Sequence, residues 1–342
     1  MTGRTAFGRV FDVPDGYVNT PSIGIPPAVT ADAVAAAVDR WRRGADAPPD
    51  FDEAVAASRR GFADLIGVPA DRVAIGASAS QLLAVVAAGV PDGGKVLAAA
   101  GEFTSTTFPF AAQEHRGVTV TEVDLGELAR SVPGHDLVVV SVVQSADGAI
   151  AALDELREAA REAGTAVVLD VSQAAGWLPL RLDWADWVVC AGYKWLLSPR
   201  GSAWLAVHPR ALERGVPVAA GWFAGENPWQ TLYGMPLRLA RGARAFDLSP
   251  VWLAHVGAAV SLPYLASLDI AEVRDHCVKL ADALLAGLGL PERGSAIVSV
   301  DGDAARLEET GVRASFRAGK ARFGFHLYNT MDDVERVLSA LA

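Results

Sequence analysis

Short apolar runs bounded by glycine or polar turns recur between residues 73 and 207. They are Val73-Ala74-Ile75, Val96-Leu97-Ala98, Val118-Thr119-Val120, Leu137 to Val143, Ala166-Val167-Val168-Leu169, Trp187-Val188-Val189-Cys190 and Ser202 to Val207. Most are apolar at consecutive positions. That is the pattern of strands covered on both faces, as in a buried parallel sheet. Between them the period becomes helical. Phe51 to Ile66 carries Val55, Phe62, Leu65 and Ile66 at helical spacing and stops at Gly67 and Pro69. Gln81 to Gly89 and Leu153 to Ala163 are further helices, the latter closed by Gly164. Thr30 is expected to cap a helix that starts at Ala31 and carries Val34, Val38 and Trp41. This alternation is the signature of an α/β fold. Pro209 to Pro250 is irregular and aromatic, with Trp222, Trp229 and Tyr233. Loops of that length cover a site or form an interface. Two helices follow, one carrying Leu253, Val256, Val260 and Leu265 and one from Ile270 to Leu288. The end reads as a small α+β unit, with strands at Ala296–Val300, Val312–Phe316 and Lys320–Leu327 and a helix at Asp332–Leu341.

Composition narrows the class. A chain of 342 residues, 51% hydrophobic and 20% charged, is globular and long enough for a large core. Its longest clearly apolar run, Leu82 to Val90, is too short to cross a bilayer. The first ten residues contain Arg4, Gly8 and Arg9 and no apolar block, so no secretory segment is expected. Cys190 and Cys277 do not make a disulfide framework, and a cytoplasmic protein is expected. A net charge of −10 argues against a nucleic-acid groove but leaves room for a local cationic pocket. The six histidines are scattered and no Cys-x-x-Cys occurs, so no metal site is expected. There is no Gly-x-Ser-x-Gly elbow. Gly89 to Lys95 has the spacing of a nucleotide P-loop, but Val96 stands where Ser or Thr is needed and a helix precedes it.

Two strand ends carry the candidate chemistry. Ala166–Leu169 ends on Asp170, and Trp187–Cys190 leads through Ala191-Gly192 to Tyr193-Lys194-Trp195. In open parallel sheets, sites lie beyond the carboxyl ends of strands. A lysine amine can form a Schiff base with a carbonyl cofactor, and pyridoxal phosphate needs an acid beside its ring nitrogen. Only four lysines occur (Lys95, Lys194, Lys279, Lys320), which makes Lys194 conspicuous. Gly76-Ala77-Ser78-Ala79-Ser80 is a small-residue turn between a strand and a helix, where backbone N–H groups and the helix dipole can receive an anion.

Asp170 with Gln173, then Tyr193-Lys194-Trp195, Pro199-Arg200-Gly201 and the run Arg322-Phe323-Gly324-Phe325-His326-Leu327-Tyr328-Asn329-Thr330, resemble the class V aminotransferase family. That family includes cysteine desulfurases, isopenicillin N epimerase-like proteins and kynureninases. The resemblance covers nearly the whole chain. It implies a fold type I pyridoxal-phosphate enzyme with a mostly parallel seven-stranded sheet and a small α+β C-terminal domain. The expected partition is an arm over the active site (1–27), a large domain (28–250) and a small one (251–342). It implies that Lys194 holds pyridoxal 5′-phosphate, Asp170 faces its ring nitrogen and Gln173 its ring oxygen. Ser78, Ala79, Ser80 and Tyr193 would meet its phosphate, and Phe103 would stack on its ring. Ser249 sits where relatives reach the neighbouring subunit's phosphate, so a homodimer with shared sites is implied. Arg322 would bind the α-carboxylate of an amino-acid substrate. Ser145 or Gln144 would face the substrate, and the sequence leaves that choice open. Transamination, carbon–sulfur or carbon–carbon lysis, and epimerisation all remain open. The stretch from Pro291 to Arg322 contains no cysteine, which disfavours a persulfide-forming desulfurase. Tyr193 before the lysine leans toward the kynureninase and epimerase-like branches. A catalytically silent relative would be expected to have lost Lys194, Asp170 or Arg322, and all three are present.

Overall fold

The computed structural model describes residues 3–342; residues 1 and 2 of the expected arm lie outside the described residues. A short hairpin, β1 (Arg4–Ala6) and β2 (Arg9–Phe11), opens the chain. Helices α1 (Ala28–Arg42) and α2 (Asp52–Ile66) follow. The α/β body runs β3 (Val73–Gly76), α3 (Ala79–Ala88), β4 (Lys95–Ala99), α4 (Thr104–Ala111) and β5 (Thr119–Val123). It continues with α5 (Leu128–Ser131), β6 (Leu137–Ser141), α6 (Leu153–Ala163), β7 (Ala166–Asp170), β8 (Trp187–Ala191) and β9 (Ala203–Val207). After the irregular segment come α7 (Trp252–Ala266), α8 (Ile270–Gly287) and β10 (Ile297–Val300). Then follow α9 (Ala304–Glu309), β11 (Ser315–Arg317), β12 (Lys320–Gly324) and α10 (Met331–Leu341).

The large sheet has seven strands in the order β3-β9-β8-β7-β6-β4-β5. Its pairings are parallel from β5 through β8, whereas β9 runs antiparallel to both β8 and β3. The expectation of a mostly parallel seven-stranded sheet is met. The one departure, β9, was not readable from its apolar run, because a strand covered on both faces looks the same in either direction. Alternate residues explain the two layers. Val138 and Val140 join the core beneath α2, α6 and α7, while Val139 and Val168 join the one beneath α3 and α4. A separate three-stranded antiparallel sheet, β10-β12-β11, packs Val298 and Phe323 against Leu284 of α8 and Val337 of α10.

Some boundaries moved. Helix α1 starts at Ala28 behind Pro27, so Thr30 lies inside it, buried, and caps nothing. Pro27 takes the N-cap position itself and offers no side-chain cap. Helix α7 packs on α1 and α2. That contact is close: a Cβ at Gly61 would meet Leu262 Cβ at 2.7 Å. Among the described residues no single helix is long and apolar enough to cross a membrane.

Candidate active site

The antiparallel return of β9 creates the central loop. Residues 192–202 leave β8 at the carboxyl edge and turn straight back into β9, with Ala191 paired to Ala203. Gly192 N–H donates to Ser202 O (2.9 Å) and Ser198 N–H to Gly192 O (3.1 Å). Gly192 has no room for a side chain, since a Cβ there would lie 2.2 Å from Ser198 Oγ. This tight loop presents Lys194 beside the end of β7, where Asp170 stands.

Lys194 and Asp170 line one cavity of about 180 Å³. Asp170 is buried and accepts from Ser172 N–H (2.7 Å) and Thr106 Oγ1 (3.1 Å), which fix its carboxylate. Lys194 is only 8% exposed and has no hydrogen bond or ion pair to any described residue. Burial lowers its ammonium from 10.5 to about 8; Asp170 opposes the shift and Arg322 adds to it. An amine that is buried, without an ion pair and partly neutral near pH 8 is uncommon outside reactive sites. Its Nζ lies 5.3 Å from the Phe103 ring centroid and 5.8 Å from that of Tyr193. Asp170 and Lys194 thus line the same cavity without forming an ion pair.

Ser78, Ala79 and Ser80 border the same cavity at the start of α3. Ser78 is the N-cap, accepting from Gln81 N–H at 3.4 Å, and its Oγ lies 3.4 Å from Ser80 Oγ. Arg200 also lines the cavity, with its guanidinium 4.9 Å from the Tyr193 ring centroid.

Gln144 and Ser145 differ in where they lie relative to the cavity. Gln144 Nε2 donates to buried Glu102 (2.7 Å), away from the cavity, whereas Ser145 lines it. Gln173 lines it too, but its amide is already engaged. Nε2 donates to Pro21 O (3.0 Å) and Ser145 Oγ (3.2 Å), and Oε1 accepts from Trp195 Nε1 (2.7 Å). With both amide protons taken, Gln173 as placed has none left for a ring oxygen. Arg322 is 1% exposed and reaches the cavity only through Ser145. Its Nε donates to Ser315 Oγ (3.1 Å), Nη1 to Ser145 O and Oγ, and Nη2 to Ser22 Oγ (3.0 Å). Burial lowers its pKa to about 10. Ser249 is exposed and does not line the cavity of its own chain.

Three residues were not singled out from sequence. Thr106 holds Asp170 from α4, a helix whose weak pattern gave no signal. Glu102 accepts from Ser141 N–H and Gln144 Nε2, both at 2.7 Å, and burial pushes its carboxyl pKa up. Arg200 stood in the Pro199-Arg200-Gly201 run, but no pattern assigned it a role. Cys190 is buried off the cavity, and burial drives its thiol well above the usual range, as it does for Cys277. Neither is set up as a thiolate nucleophile.

The donor set suits pyridoxal phosphate. An amine for an aldehyde, a carboxylate for a ring nitrogen, a neighbouring aromatic face and a helix N-terminus for a phosphate all border one small cavity. Comparisons with known proteins agree. The "Aminotransferase class-V" family model matches residues 33–306. An uncharacterized aminotransferase of Bacillus subtilis, YcbU, is 25% identical over 83% of this chain and 82% of its own length. A kynureninase of Deinococcus radiodurans is 27% identical over 97% of this chain and 91% of its own. Among solved structures, the cystine C-S lyase C-DES in complex with its product cysteine persulfide superposes with a TM-score of 0.86. It is 21% identical and covers 96% of this chain and 97% of that one, which establishes the fold. A variant of that lyase was solved with glycine covalently linked to its pyridoxal phosphate. With the family model spanning most of the sequence, this chain belongs to the class-V aminotransferases, and it is a pyridoxal-phosphate-dependent enzyme.

Proposed function

We propose that this enzyme acts on an amino acid at the Lys194 cavity, with transamination as the leading reaction. The carrying observation is Lys194 itself, buried without a partner, its ammonium lowered to about 8 by that burial, on one cavity with Asp170. Lys194 would hold the cofactor by its aldehyde carbon and, once the substrate amine takes that place, serve as general base at the substrate α-carbon. Bound pyridoxal phosphate supplies an electron sink for the pair left at that carbon. Asp170, fixed by Ser172 and Thr106, would keep a proton on the ring nitrogen. Phe103 would cover one face of the ring, and Tyr193, Ser78, Ala79 and Ser80 would meet the phosphate end.

Arg322 would receive the substrate α-carboxylate. A guanidinium has five N–H donors, and four are engaged by Ser315, Ser145 and Ser22. The free one lies on Nη2, so a two-point carboxylate contact requires Ser22 Oγ to yield. Ser145 Oγ accepts from both Arg322 and Gln173, which leaves its own proton free for the substrate.

A carbon–carbon or carbon–sulfur lyase is the second reading, supported by Tyr193 preceding the lysine and by the full-length similarity to a kynureninase. Persulfide chemistry on this chain's own cysteines has no support, since both thiols are buried and held protonated by that burial. Borohydride reduction of the loaded enzyme and peptide mass mapping should find the pyridoxyl group on Lys194; a label elsewhere would refute the assignment. Mass analysis after incubation with an amino-acid panel then separates keto acid from lyase products or an inverted amino acid.

The irregular segment leaves Tyr233, Met235 and Leu237 more than half exposed. We read them as part of a homodimer contact through which Ser249 serves the neighbouring site. Light scattering tests this, and a fully active monomer excludes it. The arm (1–27), large unit (28–250) and small unit (251–342) serve as a working partition, with α7 packed on the large unit. Two free buried thiols fit a reducing compartment, so we place the enzyme in the cytoplasm; a disulfide in the native protein would oppose this.

A further inference from the structure

The phosphate end of the cavity lacks charge if the residues assigned to it so far act alone. A phosphate monoester brings roughly −1.5 to −2 at pH 7. Against it stand a helix N-terminus and two serines, one of them partly engaged as the α3 N-cap. Tyr193 adds no positive charge. Of the two cations lining the cavity, Lys194 is assigned to the cofactor's aldehyde, which leaves Arg200.

Three features place Arg200 for this task. Its guanidinium makes no hydrogen bond or ion pair with any described residue, although 40 acidic side chains were available to the chain. It lies over the ring of Tyr193, 4.9 Å from the centroid, and lines the same cavity as Ser78 and Ser80. Its loop is braced. Ser202 Oγ donates to Pro199 O at 3.0 Å and Ser198 Oγ lies 2.8 Å from Ser202 Oγ. On the far side Pro199 sits so close to α7 that a Cβ at Gly257 would meet its Cδ at 2.5 Å. A guanidinium held against a ring loses less freedom when it binds an anion than a free surface arginine does.

We propose that Arg200 is the charged ligand of the cofactor phosphate, clamped by Tyr193. The inference rests on the reading of this cavity as the pyridoxal phosphate site. The test uses protein stripped of cofactor, titrated with pyridoxal phosphate and separately with pyridoxal, which lacks the phosphate. Binding is read by absorbance and by quenching of tryptophan fluorescence. Arg200→Gln should weaken pyridoxal phosphate about 10- to 100-fold, the range for a charge-assisted hydrogen bond, and leave pyridoxal within about twofold. Arg200→Lys should recover part of the loss, since it restores charge without the two-pronged geometry. Inorganic phosphate should compete with pyridoxal phosphate for the wild type more strongly than for Arg200→Gln. Equal losses for both ligands, or no loss for either, overturn the proposal. A wild-type protein that binds neither ligand would instead sink the site reading and the inference with it.

Discussion

The two edges of the large sheet each carry a cleft lined with cations, and the larger cleft is at the edge away from Lys194. At the amino edge, Arg157, Arg161, Arg210 and Arg214 surround about 420 Å³, against about 180 Å³ at the carboxyl edge. The charges differ in how they are satisfied. Arg210 pairs with buried Asp186 at 2.7 Å, and Arg161 pairs with Glu158. The guanidinium groups of Arg157 and Arg214 lie 5.7 Å from the rings of Trp184 and Trp187. Helix α6 also points its carbonyl end there, which favours cations for structural reasons. Lys194 has rings at comparable distances, 5.3 Å to Phe103 and 5.8 Å to Tyr193, but no ion pair and no hydrogen bond among the described residues. Cavity size and charge count therefore do not single out Lys194; a desolvated charge without an ion pair does, and such charges are uncommon outside reactive sites.

Lys194→Met should have the largest effect. Activity should fall by at least about 10²- to 10⁴-fold, the contribution of a positioned acid–base group. The cofactor-free protein should nevertheless become more stable. A depression from 10.5 to about 8 corresponds to roughly 3 kcal/mol of disfavoured charge. The folded state loses its proton first, so the unfolded chain binds more protons between about pH 8 and pH 10.5. Wild-type stability should rise with pH across that window and the advantage of Lys194→Met should shrink. Denaturant titrations at pH 7 and pH 10 check this; an unchanged gap would mean that the amine is not held as described.

Arg210→Ala, at the other edge, should do the reverse. It strips Asp186 of its cation, although the half-exposed arginine leaves water able to replace part of the contact. A loss of about 1–2 kcal/mol of stability is expected, with kcat/KM within about twofold of wild type. A tenfold fall in kcat/KM would erase the distinction between the edges.

Ser22→Ala is the smallest perturbation. It frees Arg322 Nη2 and should lower KM for the amino acid about two- to fivefold without changing kcat. Steady-state kinetics decide the matter, and a raised KM would mean that Ser22 itself contacts the substrate.

Much of this was legible in local pattern. The small-residue turn before α3, the acid closing β7 and the lysine after β8 could be located because strands and turns announce themselves over a few residues. Gln144 and Ser145 could not be separated, since the answer lies with Glu102, more than forty positions away. Arg200 carried no role because a guanidinium becomes informative only once its neighbours are known. The exposure of Ser249 likewise came from the surrounding fold.

The chain's apolar rhythm was therefore enough to specify an α/β sheet and to put Asp170 and Lys194 at strand ends, because burial on two faces leaves its mark residue by residue. The direction of β9, the isolation of the lysine amine and the engagement of Gln173 and Arg322 emerged only when distant segments met. Each depends on which side chains share a cavity, a property that spacing along a single strand or helix does not encode.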